Sequence, residues 1–231
     1  MFTDPERRQE ALDRLDNLCR VVEMVSQCEG VPDNALRVAC WLELGDWKLS
    51  EATGPNSMIG DRLQLEVLTA YKRATLLEDC GYRAWHAWAL LNFRIAVQME
   101  DGSDSNPTSH RSVSAEKVQR NHVTAAVQGF VNAISLGTKK QSASVQQDLL
   151  NLTTCLFKYG NLMDIAKVIN ENIVSVALEA WLGVLPQLLA RIHIKDPSIR
   201  AVLHPLLVRL GEKHPQGKPT QIFSIWFGLS S

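Results

Sequence analysis

From one end of the chain to the other, apolar residues recur every three or four positions and hardly anywhere every second one. Leu12, Leu15, Leu18, Val22 and Val25 form one such stripe; Ile199, Val202, Leu203, Leu206, Leu207 and Leu210 form another. That spacing puts apolar side chains on one face of a helix. A half-buried strand needs alternation, and no alternating run bounded by turn residues is present. The fold class that follows is all-α.

The stripes are punctuated by helix caps and stops. Segments at about 5–27, 34–44, 61–78, 82–99, 115–136, 145–159, 162–173 and 176–192 read as helices, and a last one begins at 197. Asp33 and Asp196 stand where an N-cap is needed, and Pro197 follows at the first helical position. Gly45, Gly160 and Gly211 are the expected stops. The segment 176–192 is apolar around most of its circumference, so it is expected to be buried on more than one side. Pro186 inside it removes one backbone donor and predicts a kink. Such short links join antiparallel helical hairpins, and stacked hairpins bury a continuous core between neighbours. The expected architecture is a TPR/HEAT-like α-solenoid.

Four stretches follow from composition: a helical-repeat part at 1–99, a Ser-rich insert at 100–114, a second helical-repeat part at 115–216, and an atypical tail at 217–231. The insert has almost nothing apolar to offset its ordering entropy and is expected to be disordered. The tail carries Ile222, Phe223, Ile225, Trp226 and Phe227 beyond the last helix. It reads as a truncation or gene-model artefact, packing poorly or capping an open end of the array.

Charge and chemistry narrow the function. Lys+Arg 24 against Asp+Glu 25 leaves a net charge of -1, so no basic excess grips a phosphate backbone and no nucleic-acid partner is expected. No apolar run reaches the roughly 20 residues of a membrane span. Five cysteines without a CxxC pair fit a reducing compartment, where Cys19, Cys40 and Cys155 act as small helix hydrophobes. There is no GxGxxG and no GxxxxGK[ST], no HExxH, and no GxSxG. His193-Ile-Lys-Asp196 lacks the spacing of a kinase catalytic loop, and its Asp is the cap already named. The expectation is therefore no catalytic residue, no metal and no cofactor. Trp85, Trp88 and Trp181 read as helix–helix core, and His86 between the first two as a packed structural histidine.

Several strings taken together resemble one family. Ala84-Trp-His-Ala-Trp-Ala-Leu-Leu-Asn-Phe93 is similar to the helix before the variable insert of TOR (target of rapamycin) kinases, and Ala126-Val-Gln-Gly-Phe130 to the segment after it. Gln147-Asp-Leu-Leu150, Leu156-Phe-Lys-Tyr-Gly160 and Trp181-Leu-Gly-Val-Leu-Pro-Gln-Leu-Leu-Ala-Arg-Ile192 follow in the family's order. The chain thus resembles part of the FAT region of a TOR-type PI3-kinase-related Ser/Thr kinase. That resemblance implies a helical collar that clamps the parent chain's kinase domain in nutrient and growth signalling, with the catalytic machinery outside this segment. It also implies dimeric assembly with Raptor- or Rictor-type and WD-repeat subunits, in the cytoplasm and at the lysosome or vacuole surface.

One binding site comes with the resemblance. The family's basic pocket for inositol hexakisphosphate maps onto Ala39, Glu43 and Arg83, of which Arg83 alone keeps the charge; Arg37 on a neighbouring turn is the candidate substitute. Two rival readings remain open. One is an independent TPR/HEAT-like adaptor that uses a concave groove, and the other is an all-helical enzyme with its site between helices.

Overall fold

The computed structural model describes residues 5–28, 33–52, 61–78, 80–104, 113–137 and 144–213, and every regular element among them is helical. The chain divides into two compact units, Met1–Asn92 and Phe93–Ser231. The division falls inside a helix.

The first unit contains α1 (Pro5–Cys28), α2 (Asn34–Ala52), α3 (Asp61–Thr75) and the first half of α4 (Gly81–Asp104). Asp33 caps α2 as expected, its Oδ1 accepting from the Leu36 N–H at 3.0 Å. Gly45 does not stop that helix, which runs on to Ala52. The reason is tertiary: a Cβ at Gly45 would collide with the ring of Tyr71, so the glycine is there to admit α3. Helices α1, α2 and α3 pack in sequence order. Glu23 near the end of α1 meets Arg37 near the start of α2, and the contacts Lys48–Glu66 and Asp46–Tyr71 run in opposite chain directions, so each pair is an antiparallel hairpin. Leu42, Leu44, Val67, Tyr71, Ala74 and Ala84 are buried between them. Gly81, with φ 72°, takes the left-handed conformation at the turn into α4 that a side chain would disfavour.

The second unit holds the rest of α4, α5 (Val113–Gly137), α6 (Ser144–Tyr159), α7 (Met163–Ile173), α8 (Leu178–Trp181), α9 (Leu185–Leu189) and α10 (Pro197–Lys213). α5 packs on α6 and α7, and α10 closes over α7. Phe130, Ile134, Leu152, Leu156, Ile165 and Leu203 are almost fully buried among these helices. Helix continues into the expected insert from both sides, through Asp104 and from Val113; residues 105–112 and the tail at 217–231 lie outside the described residues.

The expected continuous helix at 176–192 is instead broken. α8 passes into a 3-10 turn at Leu182–Val184, and α9 starts afresh with Pro186 in its first turn. In an unbroken α-helix the proline ring would clash with the carbonyl four residues earlier and leave it without a donor. The chain therefore tightens before the proline, Val184 moving to φ -116°, ψ 7°. Burial keeps its three-to-four spacing across the break: Trp181, Val184 and Leu188 are all sealed. Asp196 caps α10 through the Ser198 and Ile199 N–H groups at 2.9 and 3.2 Å. α10 runs past Gly211 to Lys213.

Candidate functional site

The resemblance-derived site residues all fall in the first unit, where α2 and the first turn of α4 bring them together. The Arg83 guanidinium reaches Asp46 at 2.6 Å and Glu43 at 3.0 Å, and the hydrogen bonds it donates to those two carboxylates push its pKa up further. Asp46 also accepts from Tyr71 Oη at 2.6 Å. The one retained cation thus faces two carboxylates. A polyphosphate would have to displace both and then meet their repulsion. Ala39 is exposed on the same helix and offers no donor from its side chain.

Arg37 is committed as well. It donates to Glu23 at 2.6 Å and to Asn34 at 3.0 Å, and the same Glu23 accepts from Trp41 Nε1 at 3.0 Å. The Arg73 guanidinium lies 4.6 Å from the centre of the Trp41 ring. Burial alone would raise the Glu23 carboxyl. Hydrogen bonds from Arg37 and Trp41, with the charges of Arg37 and Arg73, outweigh it and hold the group below the ordinary range. These contacts tie α1, α2 and α3 together and leave no open basic cradle among the described residues around Arg37. Sequence reasoning had no local signal for the contacts between helices, because Glu23 stands 14 and 18 positions from its partners and Arg73 lies farther still from Trp41.

The tryptophans divide into two classes. Trp181 is 1% exposed, a core residue of the second unit as expected. Its Nε1 is sealed with no hydrogen-bond partner among the described residues. Trp85 and Trp88 are half-buried rather than core, with rings edge-to-face at 5.9 Å. His86 stacks on Tyr82 at 5.4 Å and shares a 3.2 Å hydrogen bond with its hydroxyl.

In the second unit a polar cavity of about 340 Å³ is lined by Glu100, Glu116, Gln119, Arg120, Lys158 and Tyr159. Glu100 takes up Lys158 and Tyr159 Oη, both at 2.9 Å. Arg120 stands 3.9 Å from Glu116 and 3.8 Å from Asp164. The cavity's two carboxylates, Glu100 and Glu116, are balanced by two cations, Arg120 and Lys158, and its lining contains no Ser, Thr, Cys or His. Among the described residues no group of three or more His, Cys, Asp and Glu is placed to hold a metal ion. No single described helix is long and apolar enough to cross a membrane.

The family model of the FAT domain matches residues 21–154, more than half of the 231 and reaching from α1 through most of α6. The serine/threonine-protein kinase tor1 of Schizosaccharomyces pombe is 35% identical over 77% of this chain. The serine/threonine-protein kinase mTor of Drosophila melanogaster is 30% identical over 80%, and TOR2 of Saccharomyces cerevisiae 29% over 78%. The chain spans only 7% of the first of these relatives and 8% of the other two. With an all-helical fold among the described residues, antiparallel hairpins and a FAT match over more than half of its length, the chain belongs to the FAT domain family, as a FAT region of the TOR kinase type.

Proposed function

We propose that this segment is mechanical support for a TOR-type Ser/Thr kinase, a helical collar that bears on the kinase domain and lets the complex assemble, while phosphoryl transfer is done elsewhere. The observation that carries this reading is that its half-buried charged residues join one helix to another. Glu23, Asp46 and Arg83 each hold two helices of the first unit together, and Glu100 does the same in the second. Under this reading the partners are the kinase domain of a longer chain, Raptor- or Rictor-type and WD-repeat subunits, and a second copy in a dimer. The location is cytoplasmic, extending to the lysosome or vacuole surface. Inositol phosphate is not part of the proposal, because Glu43 and Asp46 already hold Arg83.

The test is an exchange. Residues 35–213 replace the aligned stretch of the fission yeast tor1 kinase, and kinase activity and growth are measured. Support as the function predicts an active, growth-sustaining chimera. A chimera that is expressed and soluble but inactive would overturn it, and favour an independent adaptor.

A further inference from the structure

The first hairpin contains a chemical feature unrelated to its ion pairs. Cys19 on α1 and Cys40 on α2 are 1% and 6% exposed, and both are free thiols. The hydrogen bonds from Arg37 and Trp41 to Glu23 fix the antiparallel register of α1 and α2, and that register sets Cys19 opposite Cys40. Each thiol influences the ionisation of the other, as neighbouring side chains do. α2 carries the main packing of α1 among the described elements. The other side of α1 exposes Leu18, Val21, Met24 and Val25. A helix held chiefly along one face opens locally at lower cost than one packed on several.

We propose that Cys19 and Cys40 form a reversible disulfide that locks α1 onto α2 when a small-molecule disulfide is present. On opening of α1, Cys40 loses its proton to solvent and its thiolate attacks one sulfur of oxidised glutathione. That S–S bond breaks, one glutathione thiolate leaves, and Cys40 becomes a mixed disulfide. Cys19 then loses its proton and attacks the Cys40 sulfur, releasing the second glutathione. The protein gives up two electrons and two protons, and the glutathione disulfide becomes two thiols. In the closed protein burial, with Cys40 and Asp16 nearby, pushes the Cys19 thiol up to about 12, so the closed pair is unreactive and the reaction waits on opening. Cys155 is fully buried in the second unit, away from any such partner in its own unit, and Cys80 is half-buried.

The experiment uses the full 231-residue chain carrying Cys28→Ser and Cys80→Ser, exposed to oxidised glutathione and mapped by mass spectrometry without reduction. The expected product is a single Cys19–Cys40 linked peptide. It keeps the helical circular dichroism, raises Tm by about 5–10 °C, and is reversed by dithiothreitol. Adding Cys40→Ser to the same background should abolish the link and the Tm rise together. Both thiols left free after prolonged oxidation, glutathione adducts on them without a link, or a linked product that has lost its helical signal would each overturn the proposal.

Discussion

The ring of Tyr71 lies against the bare backbone of Gly45, and its hydroxyl donates to the neighbouring Asp46 at 2.6 Å. One tyrosine thus sets how closely α3 approaches α2 and also orients the carboxylate that holds Arg83 on α4. Gly45→Ala should destabilise the first unit by about 1–3 kcal/mol. The overpacking against the ring outweighs the roughly 0.5–1 kcal/mol that alanine gains in a helix interior. Urea unfolding followed by circular dichroism measures the difference. A more stable alanine variant would mean that the ring does not need this space.

Arg83 is an exposed cross-link, its side chain 59% accessible. Arg83→Ala should change stability by no more than about 1 kcal/mol, the range of solvent-screened ion pairs. Calorimetry of the unaltered chain with inositol hexakisphosphate at low salt should show no heat. The double change Glu43→Gln with Asp46→Asn removes both competing charges and should produce measurable, salt-sensitive binding. Tight binding by the unaltered chain would contradict the pairing seen here.

Acid sensitivity follows from two depressed carboxyls. Glu66 is held low first by its hydrogen bond from Lys48, against a smaller upward push from burial; Glu23 is held low as described. Folded values below the unfolded ones, near 4.5, mean that the stabilisation is fully present above that pH and is lost as pH falls through the folded values. Burial also lowers His122, which adds loss in the same direction below its ordinary 6.5. Glu23→Gln should cost about 1–2 kcal/mol at neutral pH and shrink the difference from the unaltered chain as pH approaches 3. A constant difference across that range would rule out the charge as the cause.

Trp181 fills the second unit's core around the 3-10 break, with its indole N–H unpaired among the described residues. Trp181→Ala should cost about 3–5 kcal/mol through the cavity it leaves. Trp181→Phe should cost distinctly less, since it keeps much of the volume and removes an unpaired donor. Thermal melts of the two variants decide this. Equal losses would contradict the cavity as the main cause.

Helix positions were legible because the 3.6 period survives in the apolar stripes, and Asp33 and Asp196 marked two starts by local chemistry alone. Gly45 was misread as a stop because its reason lies 26 positions away in Tyr71. The interruption at Pro186 was legible as a kink, but the segment was read as one helix because Trp181, Val184 and Leu188 keep helical spacing even through a 3-10 turn. Trp85 and Trp88 read as core because indoles usually are, yet the first unit leaves both half-covered. Family membership was legible in the ordered strings from Ala84 to Ile192, whereas the fate of Arg83 was not, because charge competition is set by which helices meet.

The central claim is that these helices support a kinase and do not themselves transfer phosphate. Its most direct measurement is labelled-phosphate transfer by the purified 231-residue chain, given Mg-ATP and a Ser/Thr peptide. The account predicts incorporation no higher than in a protein-free blank. Time-dependent peptide phosphorylation that scales with the concentration of this chain would contradict it.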